Sequence, residues 1–197
     1  MFCPNLYELP ILIGTTSALG MDSNLIFKSL GYLKPARGRM EVLSETKNKA
    51  LVIIDYAHTP AALTSALKSI QEIIGRERII TLFGCGGDRD KNKRKIMGEI
   101  ANEYSDIIIV TDDNPRNEIP SNIRSEILSG CPSATEIPNR DKAIKYAVSL
   151  LKKNDLLLIA GKGHETFQAV GIETLPFDDY TVAKEAIKNI EKSGIIN

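Results

Sequence analysis

No stretch of this sequence is apolar for the roughly 18–20 residues that a bilayer-spanning helix needs. Its start, MFCPNLYELPILIGTTSALG, lacks the positive flank of a signal peptide, so the chain is expected to be cytoplasmic. Cysteine and histidine are scarce and scattered. Cys3, Cys85 and Cys131 form no C-x-x-C, and His58 and His164 lie far apart. A structural zinc site needs four convergent ligands and is not expected; reduced thiols are. Net charge is missing too, because 25 Lys and Arg balance 25 Asp and Glu. That balance speaks against a bulk electrostatic partner such as duplex DNA, while leaving room for a local basic patch. Neither G-x-x-x-x-G-K-[ST] nor G-x-G-x-x-G occurs, and Gly161-Lys162 is followed by Gly163. The chain therefore lacks the usual means of holding nucleotide phosphates by itself.

What remains is an ordinary globular composition: 197 residues, 43% hydrophobic and 25% charged. That is enough for one domain with a proper core, or one domain plus a fragment. Residues 1–33 read differently from the rest. Leu6–Leu19 is apolar around Pro10, and Leu25, Ile26, Leu30 and Leu33 recur at helical spacing. These are two short helices without a core of their own, joined onward through Pro35-Ala-Arg-Gly38. Left unpaired, Leu9, Ile11, Leu12, Ile13, Leu25 and Ile26 would expose an apolar patch and favour association.

From Lys47 the pattern alternates. Strands are predicted at Ala50–Asp55, Arg78–Phe83, Asp106–Thr111, Thr135–Ile137 and Asp155–Ala160. The long ones are continuously apolar, as in strands covered on both faces. Helices are predicted between them. Ala61–Ile74 enters through Thr59-Pro60, Arg94–Tyr104 carries Met97 and Ile100, and Ser121 caps Ile123–Leu128, which stops at Gly130. Asn139 caps a helix bearing Ile144 and Val148, and Asp179 or a neighbour opens Val182–Ile190 before Gly194. The rhythm predicts a doubly wound, mostly parallel α/β sheet with helices on both faces. In such sheets ligands bind beyond the carboxyl ends of the strands.

Four strand ends there carry chemistry: Asp55-Tyr56-Ala57-His58, Gly84-Cys85-Gly86-Gly87-Asp88-Arg89, Asp113-Asn114-Pro115-Arg116 and Gly161-Lys162-Gly163-His164-Glu165. The mixture suits a small zwitterionic or phosphorylated ligand. Gly84, Gly86 and Gly87 permit positive φ and close backbone approach to a ligand. The cations from Arg89 to Lys95 start a helix, where free N–H groups also favour anions. A turn with a solvated charge run gives the same pattern. Pro115 fixes the backbone and presents Arg116 outward, where a guanidinium can clamp a carboxylate; Asp113 and Asn114 beside it can accept from an ammonium. A plain surface turn stays open as the alternative. His58 reads as a helix cap or a ligand contact. Glu165 reads as an ammonium receptor rather than a dyad partner of His164. Cys85 has no base near it in sequence and is not read as a nucleophile.

Together with Gly38-Arg39-Met40-Glu41, these motifs, in this order and spacing, resemble the C-terminal domain of the Mur ligases. Those are ATP-dependent peptide-bond-forming enzymes of peptidoglycan synthesis. The resemblance covers about Lys34 to Asn197 and is nearest the branch that adds meso-diaminopimelate. It implies a Rossmann-like domain over 34–197, with 1–33 a helical remnant of the central ATPase domain. It also implies that Asp113, Asn114, Pro115 and Arg116, with Arg89, Gly161 and Glu165, bind the incoming diaminopimelate. Arg116 would answer the second carboxylate that separates diaminopimelate from lysine. Arg39 and Asp55, with His58 nearby, would contact nucleotide. ATP and Mg²⁺ would be held mainly by domains absent here, and a UDP-N-acetylmuramoyl dipeptide would be the co-substrate. The chain alone is then expected to be inactive, the missing domains having to come from another chain. A non-catalytic diaminopimelate-binding module and a truncated remnant stand as the other readings.

Overall fold

The computed structural model of the chain describes residues 8–32, 36–46, 49–73 and 78–193. The expectations for Cys3, Leu33, Pro35, Ile74, Gly194 and the Leu9 side chain lie outside the described residues. In chain order the elements are α1 (Glu8–Ala18), α2 (Ser23–Leu30), β1 (Glu41–Glu45), β2 (Leu51–Asp55), α3 (Pro60–Ile73), β3 (Ile79–Phe83), α4 (Asn92–Tyr104) and β4 (Ile107–Val110). They continue as α5 (Pro120–Leu128), β5 (Thr135–Glu136), α6 (Arg140–Ser149), β6 (Leu156–Ala160), β7 (Phe167–Val170), β8 (Glu173–Pro176) and α7 (Asp179–Ser193). All five expected strands form.

The main sheet runs β1-β2-β6-β3-β4-β5. Only β1 is antiparallel to its neighbour; the other pairings are parallel. Continuous apolar runs follow from two cores fed by alternate residues. Ile53, Phe83, Val110 and Leu158 pack against Leu63 and Leu67 of α3, Met97 of α4 and Ile127 of α5. Val52, Ile54, Leu82, Ile109 and Ile159 pack against Ile144 and Val148 of α6 and Ala183 and Ile187 of α7. Chain order β2, β3, β4, β5 moves steadily across the sheet, so α3, α4 and α5 share one face. The return to β6 needs the opposite face if the crossover is to stay right-handed. The last parallel strand therefore inserts between β2 and β3, and the loops after β2, β3, β4 and β6 open at one edge.

Local chemistry sets the helix starts. Thr59 accepts the Ala62 N–H at 3.3 Å and Asn139 accepts the Lys142 N–H at 2.9 Å, as expected of caps. Ser121 is not a cap. The N-cap lies two residues earlier, at Ile119, with Pro120 as the first helical residue, and the helix closes at Ser129, directly before Gly130. Proline supplies the fixed φ and omits an N–H that would be unpaired there anyway. For α7 the capping carboxylate is Asp178, which accepts the Tyr180 N–H at 3.1 Å. Asp179 is instead fully buried against Arg140.

Among the described residues, no side chain of α1 or α2 belongs to either core. Ile11, Leu12 and Leu25 are exposed as expected, together with Leu19 and Phe27. Ile26 departs from the expectation, being buried, and Ile13 is half-buried. No described helix is long and apolar enough to cross a membrane.

Candidate functional site

The loops after β2, β3, β4 and β6 enclose a cavity of about 580 Å³. Of the residues singled out in the sequence, His58, Arg89, Asp113, Asn114, Arg116, Gly161 and Glu165 line it. Pro115 lines a separate cavity of about 210 Å³ on the other side of its loop. Arg39 and Asp55 lie at the same sheet edge but outside the cavity lining.

The glycines after β3 are needed for packing rather than for positive φ. A Cβ on Gly84 would lie 2.2 Å from the Thr111 carbonyl oxygen, and one on Gly87 1.9 Å from that of Pro115. The close approach is to the segment from Thr111 to Arg116, while Gly84 and Gly86 also line the cavity. The left-handed residue in this turn is Asp88, at φ 54°.

Beneath that turn lies Arg94, fully buried. Its Nη1 donates to Glu118 at 3.0 Å and Glu126 at 2.9 Å, and its Nη2 to Glu118 at 2.9 Å and the Gly86 carbonyl at 3.3 Å. The cationic run read as an anion cradle is thus largely spent: Lys91 reaches Glu118, Lys93 donates to the His58 carbonyl at 2.7 Å, and Lys95 pairs with Glu99. Arg89 stays exposed at the cavity, its Nη1 on the adjacent Asp88 carbonyl.

Glu118 was not legible as a site residue, yet it holds the glycine loop by also accepting the Asp88 N–H at 2.7 Å. The hydrogen bonds from Arg94 draw its carboxyl down to about 2, against the opposing effect of burial. A carboxyl depressed on folding adds stability that is complete above its unfolded value of about 4.5 and is lost as pH falls through about 2. Glu118→Gln is accordingly expected to lower the melting temperature by several degrees at pH 7. The gap to wild type should narrow steadily as melts are taken from pH 4.5 downward. A constant gap would mean that Glu118 acts through packing alone.

Arg116 is not presented outward. It sits at φ 51°, a costly conformation for a residue with a Cβ. Strand β7 holds it there: Arg116 N–H donates to the Ala169 carbonyl at 3.0 Å, and Gly171 N–H donates to the Arg116 carbonyl at 2.7 Å. The guanidinium turns back over the glycine loop, with Nη1 donating to the Gly87 carbonyl at 2.9 Å. Its remaining N–H groups are left for the cavity. Gln168 of β7 donates to the Asp113 carbonyl at 2.5 Å, pinning the start of the same loop.

Asn114 is more committed than the sequence implied. Its Oδ1 accepts from Lys162 at 2.9 Å and from the Ala169 N–H at 3.0 Å, and its Nδ2 donates to Glu165 at 2.8 Å. Lys162, fully buried, also donates to Glu165 at 3.1 Å. Its signal in the sequence is a lysine directly after an all-apolar strand, flanked by glycines, with a glutamate three residues on.

Asp55 uses both carboxylate oxygens locally, accepting from Met40 N–H at 2.7 Å and Ala57 N–H at 2.8 Å. Burial raises its pKa despite these bonds and the nearby Arg39 charge. Arg39 is exposed, its guanidinium 4.9 Å from the centre of the Tyr56 ring. The same ring lies 4.5 Å from His58 and 5.1 Å from His164. Cys85 lines the cavity, but burial pushes its thiol up to about 12, which disfavours the thiolate at neutral pH. Among the described residues no cluster of three or more His, Cys, Asp or Glu could hold a metal ion.

The profile of a protein family described as "Mur ligase, glutamate ligase domain" matches residues 38–163. A UDP-N-acetylmuramoyl-L-alanyl-D-glutamate–2,6-diaminopimelate ligase of Agrobacterium fabrum is 48% identical over 185 residues, 94% of this chain and 38% of that protein. The ligase of the same name from Rhizobium meliloti is 47% identical over 90% of this chain and 36% of its own length. The chain thus spans under two-fifths of these relatives. A solved structure of a ligase of that name superposes with a TM-score of 0.73 at 33% identity, over 91% of this chain and 37% of that one. The FolC protein of E. coli in complex with ADP shares the fold, at a TM-score of 0.66 and 17% identity, over 98% of this chain and 41% of its own.

Proposed function

The chain belongs to the Mur ligase family, and from that premise we propose that it is the part of a diaminopimelate-adding ligase that receives the incoming amino acid. The observation that carries this reading is the interleaving of opposite charges in one cavity: Arg89 and Arg116 with Asp113 and Glu165, beside the neutral amide of Asn114. meso-Diaminopimelate has two carboxylates and two amines, and needs such a mixture. The arginines meet carboxylates, for which a planar guanidinium is suited. Glu165 and Asp113 meet an ammonium.

In the reaction proposed, the second amine, as a free base, attacks an acyl phosphate on the D-glutamate of a UDP-N-acetylmuramoyl dipeptide. The C–N bond forms, the C–O bond to phosphate breaks, and phosphate leaves with the electron pair while the amine loses a proton. This chain's part is to hold the amine at the right distance and angle, which removes most of the entropic barrier. Arg39, exposed beside Tyr56 at the cavity rim, is assigned to the nucleotide phosphates, with His58 next to it. Asp55 acts indirectly there, fixing the Gly38–Met40 turn through the Met40 N–H. ATP and Mg²⁺ are assigned mainly to the part of the ligase that lies outside this sequence. The 1–33 segment is assigned to the central domain of such a ligase, and 34–197 to its C-terminal domain.

Calorimetric titration of the purified chain with meso-diaminopimelate and with L-lysine tests the reading. Diaminopimelate is expected to bind at least about tenfold more tightly, the lower end of what one charge-assisted bidentate contact contributes. Equal affinities, or none, would overturn it. With Mg-ATP and UDP-dipeptide the chain alone is expected to form no product, since it has no P-loop. Adding the amino-terminal part of a related ligase should restore ligation. If diaminopimelate binds but ligation is never restored, the chain is a binding module.

A further inference from the structure

Strand β6 ends in a turn that leaves Lys162 no exposure. Gly161 and Gly163 lie at φ 113° and 52°. A Cβ on Gly161 would come within 2.8 Å of Asp113 Oδ2, and one on Gly163 within 2.7 Å of the Gly38 carbonyl oxygen. The turn is clamped on both sides, and the one long side chain between the glycines goes inward. Lys162 is the only buried lysine among the described residues. Its Nζ donates to Asn114 Oδ1 and Glu165 Oε2, and lies 5.7 Å from the centre of the Phe167 ring.

Burying an ammonium is costly, and an apolar side chain of similar volume usually serves stability as well or better. The partners indicate what the charge does. Asn114 Oδ1 faces two groups that can only donate, Lys162 Nζ and the Ala169 N–H. The amide therefore cannot flip, and its Nδ2 must point at Glu165 Oε2, where it donates at 2.8 Å. Glu165 Oε2 is then occupied by two donors, while Oε1 takes part in neither bond and is left for the cavity. Lys162 itself is not among the residues lining that cavity.

We infer that Lys162 is a positioning residue, which locks the Asn114 amide and one oxygen of Glu165 so that the other oxygen is presented to a ligand ammonium. This rests on the amino-acid reading of the cavity. It assigns the ammonium side of the ligand to the Lys162 cluster and leaves the carboxylate side to Arg89 and Arg116.

The test uses the whole chain and Lys162→Met, with three readouts: calorimetric affinity for meso-diaminopimelate, affinity for pimelate (the same dicarboxylate without amines), and hydrogen exchange of the Asn114 side-chain amide by NMR. The variant is expected to stay folded, lose tenfold or more in diaminopimelate affinity, keep its pimelate affinity, and exchange the Asn114 amide at least tenfold faster. Unchanged diaminopimelate affinity would overturn the inference, as would equal losses for both ligands with unchanged exchange. If neither chain binds diaminopimelate but the Asn114 amide still loosens, the positioning role stands and the amino-acid reading falls. Should Lys162→Met not fold, Lys162→Gln, uncharged but able to donate one bond, is read in the same way.

Discussion

Asp179→Ala is expected to cost about 3–5 kcal/mol of stability, the usual penalty for stripping one partner from a buried ion pair. Arg140 is the first residue of α6 and Asp179 the first of α7, and both side chains are fully buried. Arg140 Nε and Nη2 donate to the two carboxylate oxygens at 2.8 and 2.7 Å, and Nη2 also to the Ala160 carbonyl at 3.0 Å. The pair ties the starts of both helices to the end of β6. Burial alone would lower the pKa of Arg140, but the charge and hydrogen bonds of Asp179 raise it, so the cation persists in the interior. A cation at a helix start is also opposed by the helix dipole, which Asp179 offsets. Without Asp179 the guanidinium, whose Nη1 already has no hydrogen-bond partner, is stranded.

For a domain of this size that loss corresponds to a melting temperature lower by roughly 6 to 20 °C. Circular dichroism melts of the wild type and the variant measure it. The double variant Arg140→Met/Asp179→Leu separates charge from packing. It is expected to be clearly more stable than Asp179→Ala, since it removes both charges and keeps apolar volume. A double variant no better than the single one would show that geometry, not uncompensated charge, makes the pair necessary.

Strand and helix positions were legible because they depend on near-neighbour patterns. A run such as Leu156–Ala160, apolar at every position, has few alternatives to a strand buried on both faces, and each of its side chains is buried. Strands β1, β7 and β8 were missed for the converse reason. Strand β8 is exposed throughout and β7 is half-buried at best, and neither has a buried face to impose alternation. Their cohesion comes from pairing with each other and with Arg116, which no local pattern records.

Within the site the same distinction holds. Gly84, Gly86 and Gly87 could be flagged, but whether they serve positive φ or close contact depends on the Thr111 and Pro115 carbonyls from another loop. Arg94 looked like one more exposed cation of a basic run until Glu118 and Glu126 covered it. Arg124 likewise meets Asp112 and Glu136 only in the folded chain. Ion pairs between distant segments are set by the order of strands in the sheet, which alternation and spacing do not encode.

Arg116→Ala should change selectivity more than any other single substitution in the cavity. Diaminopimelate differs from lysine by one carboxylate, so a residue that reads that group must separate the two. The backbone of Arg116 is fixed by the Ala169 and Gly171 bonds, and Nη1 is anchored on Gly87 and, at 3.4 Å, on Asn114. On the function proposed above, the remaining donors are thus held in advance, and a ligand carboxylate would meet them at little entropic cost. Lysine would leave a half-buried guanidinium face without its partner, which costs more than the loss of one attraction. A charge-assisted bidentate contact is worth about 1.5–3 kcal/mol, or roughly 10- to 150-fold. In this chain combined with the missing part of a related ligase, Arg116→Ala is expected to lower kcat/KM for diaminopimelate by that factor and for lysine by little. Arg116→Lys should recover only a fraction, because an ammonium can neither fork around the carboxylate nor keep the Gly87 anchor at the same time. Equal losses for both amino acids would instead identify Arg116 as a brace between the glycine loop and β7, and the carboxylate reader would then have to be Arg89, the other arginine of the cavity.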